Sequence, residues 1–107
     1  MYVSNLVTQP GETDGYKVSD HVRAINEYLK KSGRRVDVTL ANNKAVDQRI
    51  TEKYLITENK NVVLLNKEKL EEMKTEIIEG DILSLDNETI RHNSLKTSYM
   101  IFSYLMD

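Results

Sequence analysis

A chain of 107 residues fits a single domain, residues 1–107, and one of this size buries about 60–70% of its unfolded surface. Apolar residues make up 39% and charged residues 30%, a folded rather than a disordered composition, and the net charge of -2 argues against a sequence-independent grip on nucleic acid. The absence of cysteine excludes disulfides, thiolate metal sites and cysteine nucleophiles, and no apolar run approaches the ~20 residues of a membrane span.

The N-terminus lacks the basic and apolar regions of a signal peptide, so cytoplasmic residence is the expectation. The chain opens directly on a strand-like segment, residues 2–7, which points to a fragment of a larger fold. A loop with the only proline follows over residues 8–15. Val18, Val22, Ile25 and Leu29 then fall at spacings of four, three and four, one face of an amphipathic helix. Ser19 or Asp14 is placed to cap its start and Ser32-Gly33 to end it. The basic cluster Lys30, Lys31, Arg34 and Arg35 sits at that helix end, where cations complement the dipole.

Residues 36–40 alternate as a second strand, left by Ala41-Asn42-Asn43. Val46, Ile50 and Tyr54 predict a short helix over 45–56, and the apolar run 62–65 predicts a strand covered on both faces. Asn66 is placed to cap a helix through Leu70 and Met73. Residues 76–83 read as a last strand broken near Gly80, and Asn93 as the cap of a final helix with Leu95, Tyr99, Phe102 and Met106. Strands alternating with helices give an α/β fold, a Rossmann-like, mostly parallel sheet with flanking helices. The final helix is apolar almost all round, so it demands burial on most sides. Its cover is either this domain's core, a missing N-terminal region, or a second copy in a homo-oligomer.

The segment from Asn5 to Gly15 leaves a strand's C-terminal end and enters a helix N-terminus, the edge where open α/β sheets bind ligands. Gly11 and Gly15 allow close approach or positive φ, and Thr8, Gln9 and Thr13 supply neutral hydrogen-bonding groups. Glu12 and Asp14 would repel a bare phosphate; a divalent cation, or sugar hydroxyls, would reconcile them with a ligand. The competing reading is a turn-rich connection with Asp14 as helix cap. Asn42 and Asn43, with Asn5, stand at strand ends, where their amides read sugar or base groups or simply serve turns. Arg91 by itself reads as a surface ion pair, His92 as a phosphate donor or a structural histidine, and Tyr54 as core. His21, in the first helix, either faces the site or packs.

Thr8-Gln9-Pro10-Gly11-Glu12-Thr13-Asp14-Gly15, followed by Ser19-Asp20-His21, resembles the TQPGETDG…SDH signature of the YvcK/CofD-like family: gluconeogenesis factors and their relative, 2-phospho-L-lactate transferase. Asn42-Asn43 is similar to that family's strand-end asparagines, and Ile90-Arg91-His92 to its IRHD motif, with Asn93 where the family usually has Asp. The resemblance implies the C-terminal part of a larger CofD-like fold, without that fold's glycine-rich phosphate loop. It implies a regulatory protein of central carbon metabolism and cell-envelope morphogenesis that binds a nucleotide sugar of the UDP-N-acetylglucosamine type. Residues Thr8 to Asp14 and Arg91 would then hold the diphosphate region and Tyr54 would stack on the base. The transferase branch of the family implies an alternative: an enzyme acting on a guanosine-linked donor with Mg2+, which Glu12 or Asp14 would help place. An interaction module without ligand is the third reading. Binding ranks above catalysis, because the signature sits closer to the gluconeogenesis factors.

Overall fold

The structure, a computed structural model, describes residues 1–106. In chain order it contains β1 (Tyr2–Val3), α1 (Val18–Leu29), a 3-10 turn (Lys30–Ser32), β2 (Val38–Asn42), α2 (Gln48–Glu58), α3 (Lys67–Glu72), β3 (Glu76–Gly80), β4 (Leu83–Asp86), β5 (Thr89–His92) and α4 (Ser94–Met106). The expected α/β architecture holds. Strands β1, β2 and β3 pair in parallel with β2 at the centre, while β4 and β5 form a separate antiparallel hairpin. No described helix is long and apolar enough to cross a membrane.

β2 is the strand that parallel pairing on both sides demands: its residues Val38 to Ala41 are all buried. In the β2–β3 register Ala41 lies beside Glu79 and Leu40 beside Ile78, so alternate residues face opposite sides of the sheet. On one side Val18 and Val22 of α1 pack with Val36, Ala41, Val63 and Leu70, and Ile77 joins them. The helix periodicity therefore buries Val18 and Val22 of the stripe it predicted and leaves Ile25 and Leu29 half-buried. Gly33, at φ 70, ends the helical stretch by donating its N–H to Lys30 O. On the other side α4 runs against β3, where a Cβ at Gly80 would lie 2.5 Å from Met100 Sδ.

Five local expectations need correction. The first strand stops at Val3. Ser4 N–H still donates to Leu40 O, but the chain then turns, and Val7 bridges Val62 in antiparallel fashion. The run 62–65 consequently joins this bridge and is not a strand of the parallel sheet; Leu64 is 60% exposed. The physical reason is a reciprocal lock: Thr8 N–H donates to Asn61 O at 2.9 Å, and Asn61 N–H to Thr8 Oγ1 at 2.9 Å. Neither Ser19 nor Asp14 caps α1, because the Asp20 carboxylate accepts the Lys17 N–H at 2.9 Å. Asn66 stands at the N-cap position of α3 as expected but makes no side-chain cap bond; its side chain pairs with Ser19, accepting the Ser19 N–H and donating to Ser19 Oγ. The fifth correction concerns residues 76–92. The strand ends at Gly80 and a hairpin follows, with Asn87 and Glu88 both at positive φ (50° and 65°) in its two-residue turn.

Asn93 caps α4 as expected, accepting the Lys96 N–H at 3.1 Å. The idea that α4 is a core helix of this domain alone fails, since none of its described residues is buried.

Candidate functional site at the carboxyl edge of the sheet

The carboxyl ends of β1, β2 and β3 define the edge where a ligand of an open parallel sheet would sit. Asn5 stands just past β1, Asn42 and Asn43 at the end of β2, and the hairpin returns His92 to the same edge. His92 Nε2 lies 3.1 Å from Ser4 O. A carbonyl only accepts, so Nε2 carries a proton and donates it to Ser4 O. Asn5 Oδ1 accepts from the Tyr2 hydroxyl at 2.9 Å. Asn42 is more heavily committed: its amide donates to Lys44 O and accepts from the Lys44 and Ile82 N–H groups. It shapes the edge by holding the β2 exit against the β3 exit.

Beside Asn42 a shallow cleft opens between Asn42–Val46 and Val62–Leu65, with Lys67 and Glu79 on its wall. Lys67 Nζ contacts Glu79 Oε2 at 2.7 Å, and Asn43 Nδ2 donates to Glu79 Oε1 at 3.1 Å. These bonds hold the Glu79 carboxyl below the ordinary carboxylate range, the Lys67 contact first, and the Lys67 ammonium above its own. The sequence reading passed over Lys67, Glu79 and Asn61. Glu79 carried a signal, as a carboxylate that directly follows Ile77-Ile78 near the carboxyl end of its strand.

The Thr8–Gly15 loop is organised chiefly by its own bonds. Thr13 Oγ1 accepts the Gln9 N–H at 2.7 Å, and Gln9 O accepts the Glu12 and Thr13 N–H groups. The Asp14 carboxylate accepts the Gly11 N–H at 3.0 Å. Gly11 and Gly15 sit at φ 79 and 72, and Gly15 N–H donates to the Asn61 side chain. Thr8 is fully buried in the lock with Asn61, whereas Gln9, Gly11, Glu12 and Asp14 are exposed. Among the described residues no three His, Asp or Glu side chains gather as a metal set. Asp14 is engaged by the Gly11 N–H, while the Glu12 carboxylate is exposed in the same loop.

The α1 N-terminus was expected to offer open N–H groups to phosphate, and it does not. Lys17 N–H is taken by Asp20, Val18 N–H by Leu64 O at 3.0 Å and Ser19 N–H by Asn66 Oδ1 at 3.0 Å. His21 packs in the same turn. It is 8% exposed, edge-on to Tyr16 at 5.2 Å between ring centroids, and its Nδ1 lies 3.3 Å from Lys17 O.

Arg91 and His92 are neighbours on β5 and so face opposite ways. The Arg91 guanidinium is exposed and lies 3.9 Å from Asp86. Tyr54 is 7% exposed, and its hydroxyl accepts the Ile90 N–H at 2.7 Å, pinning α2 to the hairpin. The structure thus gathers Asn5, Asn42, Asn43 and His92 at one edge. It leaves the loop carboxylates, the Arg91 side chain and the Tyr54 ring in separate surroundings.

A sequence model of the family described as 2-phospho-L-lactate transferase CofD matches residues 1–83. A putative gluconeogenesis factor of Clostridium acetobutylicum is 36% identical over 107 residues, spanning 100% of this chain and 23% of that protein. The Bacillus subtilis gluconeogenesis factor is 32% identical over 107 residues, spanning 100% of this chain and 33% of that protein. A crystal structure of a Bacillus halodurans protein superposes with TM-score 0.83 at 31% identity, covering 94% of this chain and 32% of that one. A second, described as a member of the upf0052 family, superposes with TM-score 0.80. The chain therefore spans about a quarter to a third of the length of the relatives it matches.

Proposed function

This chain belongs to the CofD family, and from that premise we propose that it serves a cytoplasmic regulatory protein of the gluconeogenesis-factor kind by forming one wall of a nucleotide-sugar site. The ligand is of the UDP-N-acetylglucosamine class. The observation that carries this reading is the convergence of Asn5, Asn42, Asn43 and His92 at the carboxyl edge of the parallel sheet. Amide groups and an imidazole suit the hydroxyl and carbonyl groups of a sugar and a uracil ring. The closed α1 N-terminus means that the diphosphate must be gripped by groups other than the first turn of α1.

Thermal denaturation with UDP-N-acetylglucosamine, GDP and GTP, each with and without magnesium, tests the proposal. Ligand bound to the native state raises the melting temperature by mass action. The uridine sugar is expected to raise it without magnesium. Asn43→Ala, which removes one exposed amide, is expected to weaken binding by up to about tenfold, the value of one hydrogen bond. No shift with any of these ligands, both in the folded chain and in the Bacillus subtilis gluconeogenesis factor carrying it in place of the matching segment, would overturn the reading. A shift only with guanine nucleotides and magnesium would favour the transferase branch, toward which the description of the matching family points.

A further inference from the structure

α4 carries two apolar stripes. Thr97, Met100, Ile101 and Tyr104 are half-buried, and Met100 meets Gly80 of β3. Leu95, Tyr99, Phe102 and Met106 form the second stripe, at spacings of four, three and four, and they are 67–82% exposed. Those spacings are the a/d seam by which one helix packs lengthwise on another. An exposed stripe of this kind marks an interaction surface.

We propose that this stripe docks against a helix of the remaining CofD-family fold, the two-thirds or more of its relatives' length that this chain does not span. Two observations select that occupant. The Bacillus halodurans chain matches 94% of this one, which leaves about six of 107 residues unmatched, fewer than the 13 of α4. Part of α4 therefore has its counterpart inside a chain about three times as long. A second copy is the weaker occupant: one helix of about 20 Å, presenting four side chains, falls short of the ~800 Å2 per partner of a standard interface. The inference rests on family membership and is independent of which ligand is bound.

The test grafts this chain into the Bacillus subtilis gluconeogenesis factor in place of the segment it matches, and compares the chimera with the chain alone. Tyr99→Lys and Phe102→Lys are made in both, lysine being a good helix former. In the chain alone the positions are exposed, and the melting temperature is expected to stay within about 3 °C. In the chimera each lysine would be forced into a packed seam, and the melting temperature is expected to fall by roughly 5 °C or more. Equal small effects in both proteins would overturn the proposal, as would a chimera that fails to fold where its parent folds. So would a dimer of the chain alone, seen by sedimentation and abolished by the same substitutions, which would assign the stripe to a second copy.

Discussion

The Thr8 hydroxyl accepts the Asn61 N–H at 2.9 Å in a place that solvent does not reach. Thr8→Val keeps the shape of the side chain and strands that N–H without a partner. The expected cost is about 1–3 kcal/mol, the penalty for an unsatisfied buried donor, read from urea denaturation midpoints. A ligand role for the hydroxyl would show differently, as weaker binding at unchanged stability. Single residues were legible in sequence only as far as their chemical type. Tyr54 read correctly as core from its spacing with Ile50, but nothing local announced that its hydroxyl meets Ile90, 36 positions away. Asn61 was overlooked for the same reason. Its partners, Thr8 and Gly15, come from the other end of the loop-to-helix crossover, and a side-chain amide gives no hint of its partners' distance.

The β4–β5 hairpin is the element that sequence reasoning missed. Its turn, Asn87-Glu88, places both residues at positive φ, a conformation usually announced by Asn-Gly. Glutamate occupies the position where glycine would be relaxed. Its carboxylate reaches Arg49 at 2.7 Å and Lys53 at 2.9 Å, both on α2. Lys53 first, then Arg49, holds the Glu88 carboxyl below its ordinary value of 4.5. A lowered folded value means that the stabilisation is present above the ordinary value and is lost as pH falls through the folded one. Wild type and Glu88→Gln are therefore expected to differ in melting temperature at neutral pH and to converge in acid. Glu88→Gly separates the two effects, since it removes the ion pairs and relieves the positive φ. In 1 M salt the pairs are screened, and Glu88→Gly is expected to melt above wild type. A lower melting temperature there would mean that the side chain holds the hairpin through packing and not through charge.

At the scale of the molecule, the two helices that flank the sheet, α1 and α4, are unequally buried. The α1 face closes over Val18, Val22, Ala41 and Leu70, which are at most 2% exposed. The stripes that bury there were readable because the 3.6-residue period of α1 and the alternation of residues 36–40 are local signals. Across the sheet, α4 lies on β3 with no buried residue of its own. The apolar residues of α4 signal that cover is needed, yet not where it comes from, since a helix's own sequence carries no mark of the surface it meets. The asymmetry predicts a gradient of local stability. β2 amides, bonded to β1 and β3, are expected to exchange with solvent deuterium only through global unfolding. α4 amides are expected to exchange faster by roughly two orders of magnitude, through detachment of the helix alone. Hydrogen exchange resolved by residue distinguishes the cases. Equal protection of α4 and β2 would mean that the single stripe on β3 holds the helix as firmly as a core element. Rapid exchange confined to α4 would show a helix waiting for its second face to be covered.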